Sequence, residues 1–304
     1  MNGAHVEVGI NAVIVAVTGD DPRVLTVGRD GELGLPFGTL DPDRDRTLER
    51  ALRRWVGEHT GIELGYVEQL YTLGDLGRHP DPLIRLVSVT YLALVRESEV
   101  GQATWWDWYE LLPWEDWRAG RPAVLADAIV PALSQWADGA SDESEARRER
   151  VEIMFGLEGS AWDPERTLER YELLWEAGFV PEAGASRRDD RVHGHPMRLD
   201  HRRIAAQALG RLRGKLRYRP VVFELVPETF TLSGLQRLVE ALWGARLHTQ
   251  NFRRLLDRGG LVEGTGEMDP ATGGRPAELY RFRREVIRER PAPGVGLPGL
   301  RTSG

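Results

Sequence analysis

The chain of 304 residues contains no cysteine, which excludes disulfide bonds, a thiol nucleophile and cysteine-bound metal sites. Lysine is scarce as well, since Lys215 is the one lysine among 40 basic residues, and we attach no function to that bias. The longest apolar run of the amino-terminal region, Ala12–Val17, is too short to cross a bilayer. No basic segment leading into an apolar run opens the chain. We therefore expect a cytoplasmic protein with no membrane partner.

The charge of the chain is unevenly distributed. The formal net charge is −7, but residues 1–140 carry −10, residues 141–208 carry −4 and residues 209–290 carry +6. A basic carboxyl-terminal block on an acidic chain is expected when one end alone contacts a polyanion such as DNA. Hydrophobic residues make up 41% and charged residues 29% of the sequence, which favours a globular protein, and the length suggests two domains.

The stretch Thr229–Arg283 has the pattern of two short helices followed by two strands around a tip rich in glycine and proline. Thr231 can cap the first helix, and Gly244 occupies the position of a left-handed helix stop. The first helix repeats apolar residues at the spacing of one buried face, namely Leu235, Leu238, Val239 and Leu242. The second helix is predicted to begin at His248 or Thr249. Its apolar face consists of Phe252, Leu255 and Leu256.

The second helix of this stretch leaves a polar and basic face exposed, which is the predicted DNA-binding surface. Amide side chains near a helix amino terminus can read base edges, and arginines can hold phosphates or guanine. At the hairpin tip, Gly273 and Gly274 allow close approach of the backbone, and Arg275 suits a phosphate or a narrow minor groove. This order of elements is that of a winged helix-turn-helix, and an ordinary α+β packing unit with a solvated face is the alternative. The predicted DNA-binding residues are Thr249, Gln250, Asn251, Arg253, Arg254, Arg258 and Arg275.

The first 137 residues alternate segments typical of strands and of helices. Strands are predicted at Val6–Val17, Arg23–Val27 and Ile84–Val95, and helices at Thr47–Thr60 and Val124–Trp136. This segment resembles the Nudix fold, a mixed sheet flanked by helices. The match lies in LPFGTL, Leu35–Leu40, followed by ERALRRWVGEHTGI, Glu49–Ile62.

The Nudix signature is G-x5-E-x7-R-E-U-x-E-E-x-G-U, where U is a bulky aliphatic residue. Its glutamates lie on one helix face and hold divalent cations against a diphosphate. Anchored on Gly61, this sequence keeps Arg54, Val56, Glu58 and Ile62. Residues of other types stand at signature glutamate positions, namely Arg46, Trp55 and His59. Because a single carboxylate cannot hold Mg²⁺ tightly, we expect a Nudix shape with no catalytic residues and no metal.

The middle of the chain has weaker patterns. A polar linker is predicted at Asp138–Glu149, a helix from Asp163-Pro164 to Gly178, and a loop at Ala183–His195. Asp200 is expected to cap a further helix that runs from His201 to about Tyr218. Its basic residues are expected outside, either flanking DNA or forming a solvated face: Arg202, Arg203, Arg211, Arg213, Lys215 and Arg217. Three histidines are expected to be solvent-exposed rather than metal ligands, namely His193, His195 and His201.

Several blocks of the sequence together resemble the Nudix-related bacterial repressors of NAD biosynthesis genes, the NrtR type and its NadQ-like branch. The carboxyl-terminal blocks are Gly210–Pro220, Phe230–Leu242, Arg246–Glu267 and Gly273–Phe282, and Trp162–Ala183 resembles the NadQ-like branch in particular. The resemblance implies a homodimer that binds a palindromic DNA operator through its winged helix. It also implies a nucleotide effector, ADP-ribose, NAD or ATP, bound by the Nudix-like domain, with no further cofactor required.

Residue roles follow from the resemblance in part. It places Gln250, Asn251, Arg253 and Arg254 in the DNA groove and Arg275 on the wing. For the nucleotide, Arg54 and Glu58 match family positions, although the family uses them for metal and catalysis. The other predicted ligand residues rest on charge, aromatic character and position, namely Arg29, Phe37 and Arg85.

The predicted fold class is α+β, with a Nudix-like mixed sheet, a helical middle segment and a winged helix-turn-helix. The predicted divisions are residues 1–137 for the ligand-sensing domain, 138–198 for the linker and helical segment, 199–290 for the DNA-binding domain and 291–304 for a disordered tail. The predicted function is a ligand-responsive repressor of NAD biosynthesis or salvage genes. An active Nudix hydrolase of ADP-ribose or NAD with an accessory DNA-binding domain is the alternative, and a protein-interaction module is a third reading.

Overall fold

A computed structural model describes most of the chain. The described residues are 5–29, 31–79, 81–101, 103–139, 142–184, 190–269, 276–289 and 294–295. For Arg29, Asp190 and Arg191 only the backbone is described. Arg275, Gly273 and Gly274 lie outside the described residues.

The amino-terminal region folds into a seven-stranded mixed sheet. Its strands are β1 (His5–Thr18), β2 (Asp21–Arg29), β3 (Glu32–Gly34), β4 (Phe37–Thr39), β5 (Tyr66–Leu73), β6 (Ile84–Leu94) and β7 (Ala103–Asp107). The strand order is β3-β2-β1-β6-β5, with β4 also paired to β1 and β7 to β2. The β1–β6 pair is parallel, from His5 opposite Ile84 to Val15 opposite Leu94, and the other pairs are antiparallel. The sequence patterns predicted β1, β2 and β6 and missed β5 and β7.

Side chains alternate between the two faces of a strand, so apolar residues of this sheet point to both faces. Helices cover both faces and bury these residues. On one face, Ile14 and Ala93 belong to a core formed with α1 (Leu48–Thr60). The side chain of Thr47 caps α1 by accepting from the backbone N–H of Arg50, and Gly61 ends it. On the other face, Val13 and Leu92 belong to the larger core of the molecule.

The middle of the chain is more helical than its sequence indicates. Its helices are α2 (Trp108–Leu111), α3 (Val130–Asp138), α4 (Ser144–Phe155), α5 (Thr167–Glu176), α6 (Asp190–His193) and α7 (His201–Tyr218). The predicted polar linker is thus helical from Ser144 onwards, since α4 carries Val151 and Phe155 into the core. The helix predicted to start at Asp163 begins at Thr167, because a turn precedes it.

Helix α7 is the central helix of the molecule, and the prediction of outward basic side chains is wrong for two of them. Arg202 and Arg213 are fully buried among the apolar residues of the helix. The other basic residues of α7 pair with carboxylates instead of facing DNA: Arg203 with Asp75 and Glu172, Arg211 and Lys215 with Glu68, and Arg217 with Glu165. Asp200 stands at the cap position, but its carboxylate binds Arg78 at 2.7 Å rather than the helix.

The carboxyl-terminal region forms a helix-turn-helix followed by a hairpin. Its elements are β8 (Phe230–Thr231), α8 (Leu232–Trp243), α9 (Thr249–Gly259), β9 (Val262–Asp269), β10 (Ala277–Phe282) and α10 (Val286–Glu289). The three strands form a sheet of order β8-β10-β9. Beyond α10, Val295 is buried and its N–H donates to the carbonyl of Leu216, although it lies in the predicted disordered tail. In the part of the chain that the structure describes, no helix combines the length and apolar character needed to span a membrane.

Candidate DNA-binding surface and nucleotide site

The second helix of the helix-turn-helix, α9, begins at Thr249 as the sequence predicts. Phe252 and Leu256 are buried beneath it, while Leu255 is partly exposed. The predicted outward residues of this helix are all exposed: Thr249, Gln250, Asn251, Arg253, Arg254 and Arg258. The guanidinium of Arg254 donates to the side-chain oxygen of Asn251 at 2.9 Å, so the two side chains are held together on the exposed face.

The turn between α8 and α9 is fixed by Glu240, a residue that the sequence patterns did not single out. Its buried carboxylate accepts hydrogen bonds from the N–H of Leu247 at 2.9 Å and from Arg246 and Gln236 at 2.8 Å. Gln236 also donates to the carbonyl of Leu247 at 2.9 Å. Burial raises the pKa of Glu240, but the hydrogen bonds from Arg246 and Gln236 outweigh it and leave this pKa below its usual value. The sequence signal that could have identified Glu240 is the presence of an acidic residue among the buried positions of α8.

The positive charge of α9 is unpaired, unlike the charge of neighbouring elements. In the described part of the chain, no carboxylate lies within ion-pair distance of Arg253, Arg254 or Arg258. On the hairpin, by contrast, Arg281 donates to Glu263 at 2.7 Å. The exposed face of α9 can therefore meet a polyanion without first giving up an internal ion pair.

On the amino-terminal sheet, Trp55 covers the glycine that opens the Nudix-like match. Its indole lies against Gly38 so closely that a Cβ at that position would overlap the ring. The imidazole of His59 stacks on the same indole, with ring centroids 4.2 Å apart. Two side chains that replace signature glutamates thus form a stacked aromatic pair over Gly38.

The remaining signature carboxylate, Glu58, is bound by arginines. Arg54 donates to Glu58 at 3.0 Å and holds Asp45 through two bonds of 2.9 and 2.8 Å, and Arg44 lies 3.6 Å from Glu58. The hydrogen bond from Arg54 lowers the pKa of Asp45 to about 2. The bond to Asp45 in turn raises the pKa of Arg54. Among the described residues, no cluster of three or more His, Asp or Glu side chains could hold a metal ion.

The other predicted ligand residues do not converge on this network. The ring of Phe37 and the side chain of Leu86 both approach Gly9, which places them on the face of the sheet away from α1. Arg85 precedes Leu86 in β6, so strand alternation directs it to the α1 face. Arg29 pairs through its backbone with Glu32 at the end of β2, and its side chain lies outside the described part.

Of the three histidines predicted to be solvent-exposed, His201 is buried, while His193 and His195 are partly buried. The N–H of Leu35 donates to Nδ1 of His201 at 2.9 Å, and the amide group of Asn11 lies 3.2 Å from Nε2. Because Nδ1 accepts, Nε2 carries the proton, and a hydrogen bond to Asn11 requires the amide oxygen of Asn11, which has no other partner, to take the place of the amide nitrogen that faces the ring. His201 therefore attaches the start of α7 to the sheet.

Comparison with known proteins identifies the family of this chain. Residues 222–282 match the family model described as the NrtR DNA-binding winged helix domain. Over 248 residues the chain is 41% identical to the ADPR responsive transcriptional repressor NtrR of Acinetobacter baylyi, an alignment that covers 82% of this chain and 68% of that protein. The chain belongs to the NrtR family.

Solved structures show the same fold as this NrtR-family chain. Shewanella oneidensis NrtR, crystallised with a 27mer DNA, is 22% identical with a TM-score of 0.58, covering 92% of this chain and 95% of that one. A MutT/nudix family protein from Enterococcus faecalis is 16% identical with a TM-score of 0.55, covering 91% and 86%. The predicted α+β fold, with a Nudix-like sheet and a winged helix-turn-helix, is confirmed.

Proposed function

We propose that this NrtR-family chain is a nucleotide-responsive transcriptional repressor that binds operator DNA as a homodimer and controls genes of NAD biosynthesis or salvage. The observation that carries the proposal is the exposed face of α9, whose arginines have no carboxylate partner in the described part of the chain. The 41% identical relative is itself named a transcriptional repressor, which supports the same role here.

The residues of α9 divide by position into two groups. Thr249, Gln250 and Asn251 form the first turn and are proposed to contact base edges in the major groove. Arg253, Arg254 and Arg258 lie further along the exposed face and are proposed to hold phosphates or guanine. For Arg275, outside the described residues, we keep the proposal of a wing contact with the backbone or minor groove.

The DNA-binding proposal is tested by the salt dependence of duplex binding. The duplex is one enriched from a random pool by the wild-type chain, and its dissociation constant is measured across salt concentrations. We expect Arg253→Gln with Arg254→Gln to weaken binding and to reduce the slope of log K against log salt by about two. The matched control is Arg211→Gln with Arg217→Gln, which removes the same charge from carboxylate-paired positions of α7.

Equal losses in the two double variants would contradict the assignment of α9, since they would reflect net charge alone. A wild-type chain whose affinity does not change with salt would contradict the DNA-binding function itself.

We propose ADP-ribose as the effector, bound on the α1 side of the Nudix-like sheet. The relative is described as ADPR responsive, and Arg44 and Arg54 provide cations for a diphosphate near the indole of Trp55. Arg85 lies on the same face of the sheet and stays a prediction. Phe37, on the opposite face, is not part of this proposal, and Arg29 stays a prediction. Thermal shifts with ADP-ribose, NAD and ATP test it: ADP-ribose should raise the melting temperature most, and a larger shift with NAD or ATP would reassign the effector.

We further propose that the nucleotide is bound without being cleaved. Glu58 is already bound by Arg54 and Arg44, and Trp55 with His59 occupies the positions of further metal ligands. Incubation with Mg²⁺ and ADP-ribose should release no AMP. Release of AMP that disappears in Glu58→Gln would instead support the active hydrolase.

A further inference from the structure

The end of α8 is capped by residues from other parts of the chain. The last carbonyls of a helix lack partners within it. In α8, the carbonyl of Ala241 accepts from the hydroxyl of Tyr109 at 2.6 Å, and that of Leu242 accepts from Nε of Arg213 at 3.2 Å. Two residues later, the carbonyl of Gly244 accepts from the N–H of Trp117 at 2.6 Å. The turn that leads into α9 is therefore attached to the amino-terminal region and to α7.

The side chains that make these attachments are themselves fixed. Arg213 donates to the carboxylate of Glu115, and Arg170 of α5 donates to the same carboxylate at 2.7 and 2.9 Å. All three side chains are fully buried. Burial raises the pKa of Tyr109 to about 12, so its hydroxyl keeps its proton and remains a donor at neutral pH. Removing one member of a buried ion cluster leaves its partners uncompensated, which favours keeping the cluster intact.

The opposite end of α7 is attached to the sheet on the face away from α1, opposite the proposed nucleotide site. His201, the first residue of α7, contacts Asn11 of β1 and the N–H of Leu35. Three residues after Leu35, Gly38 of β4 supports the indole of Trp55 on α1. Twelve residues separate His201 from Arg213 in one continuous helix, a distance of about 18 Å.

We propose that α7 couples the nucleotide site to the recognition helix, with His201 as its contact at the sheet and Arg213, held by Glu115 and Tyr109, as its contact at the turn before α9. The proposal rests on the proposed function, since it assumes an effector and an operator. A displacement of β4 or α1 on binding of a nucleotide moves the amino-terminal end of α7. Because the helix is buried and both of its ends are fixed, that displacement reaches the α8–α9 turn instead of being absorbed between them.

The test measures coupling as well as affinity. The dissociation constant of the selected duplex is determined with and without saturating ADP-ribose, and the ratio of the two values is the coupling. Tyr109→Phe removes the bond to Ala241 and keeps the ring, and His201→Asn removes the bond to Asn11 at the far end. Ile129→Val is the matched control, because it removes one buried methyl group from a side chain that makes none of the hydrogen bonds named above and lowers the melting temperature.

We expect the ratio to fall at least threefold in Tyr109→Phe and in His201→Asn. In Ile129→Val we expect it to stay within a factor of about 1.5 of wild type, even when this control loses as much melting temperature as the other two variants. By reciprocity, the effect of the duplex on ADP-ribose affinity should fall by the same factor. Should Tyr109→Phe fail to fold, His201→Asn alone carries the comparison.

Failure of α7 as the coupling element and failure of the proposed function give different results. If the wild type binds the duplex and responds to ADP-ribose but the folded end variants keep the wild-type ratio, α7 is not the coupling element and the proposed function stands. A loss of coupling as large in Ile129→Val as in the end variants would also overturn the inference, because general destabilisation would explain it. If the wild type binds no duplex, or does not respond to ADP-ribose, the proposed function fails and the inference fails with it.

Discussion

His201 remains neutral at physiological pH because its ring is buried between α7 and the sheet. Desolvation lowers the pKa of His201 from 6.5 to about 4. Between these two values the unfolded chain binds a proton at this residue and the folded chain does not. The contribution of a neutral His201 to stability is therefore fully present above about pH 6.5 and is lost as the pH falls towards 4.

We expect this residue alone to lower the free energy of unfolding by about 2 kcal/mol between pH 7 and pH 5. Urea titrations at the two pH values measure the change. The control is His201→Asn, which keeps the other six of the seven histidines, so the difference between the two chains isolates residue 201. An identical pH dependence in both chains would contradict a buried neutral imidazole.

Two glycines should respond to the same substitution with opposite signs. Gly244 adopts φ +77°, and an added Cβ would lie 2.6 Å from the carbonyl oxygen of Glu115, so Gly244→Ala should cost more than about 2 kcal/mol of stability. Gly57 lies inside α1 with open space around its Cα, so Gly57→Ala should add about 0.5–1 kcal/mol. Denaturant midpoints measure both values. A neutral Gly244→Ala would mean that the junction around Glu115 is loosely packed.

At the scale of elements, Glu115 joins α5 and α7 through two buried guanidinium groups. Replacing it with glutamine preserves the shape but leaves both arginines without a buried negative partner, so Glu115→Gln should cost about 3–5 kcal/mol. The comparison is Glu176→Gln, which breaks the exposed pair with Arg150 and should cost at most about 1 kcal/mol. Equal melting temperatures for the two variants would show that the cluster does not depend on this charge.

The elements that the sequence predicts best are those whose determinants are local. Thr231, Gly244 and the apolar repeat between them are sufficient to place α8, because the cap, the stop and the buried face all lie within the helix. The burial of Arg213 depends on Glu115, which is 98 residues distant along the chain. No periodicity within α7 distinguishes this buried arginine from the exposed Arg217, so the helix was predicted with the wrong outer face.

For a related reason, the sequence indicates which residues the proposed nucleotide site lacks but not how the remaining ones are arranged. The loss of signature glutamates can be read directly from Trp55 and His59, but their stacking over Gly38 requires β4 to lie beneath α1. Phe37 and Arg85 were grouped by chemistry alone. Strand alternation separates them onto opposite faces, and this separation depends on the pairing of β4 and β6 with β1, which no local pattern specifies.

Across the whole molecule, the basic block of the sequence is divided by folding. Its α7 residues are neutralised by acids of the amino-terminal and middle regions, as Arg211 is by Glu68 and Arg217 by Glu165. Among the described residues of this block that have no ion pair, three lie together on the exposed face of α9, namely Arg253, Arg254 and Arg258. This group of positive charges supports the proposed contact between α9 and DNA.

One continuous cluster of buried apolar side chains joins the sheet to the helix-turn-helix, from Val13 and Leu92 through Leu209 to Leu242 and Phe252. Because each region completes the core of the next, we expect the full chain to unfold in one cooperative calorimetric transition. Residues 222–289 alone should show none, since they lack Tyr109, the buried arginine of α7 and the apolar face of that helix. Two resolved transitions in the full chain, one of them reproduced by the fragment, would show that residues 1–137 and 199–290 fold independently.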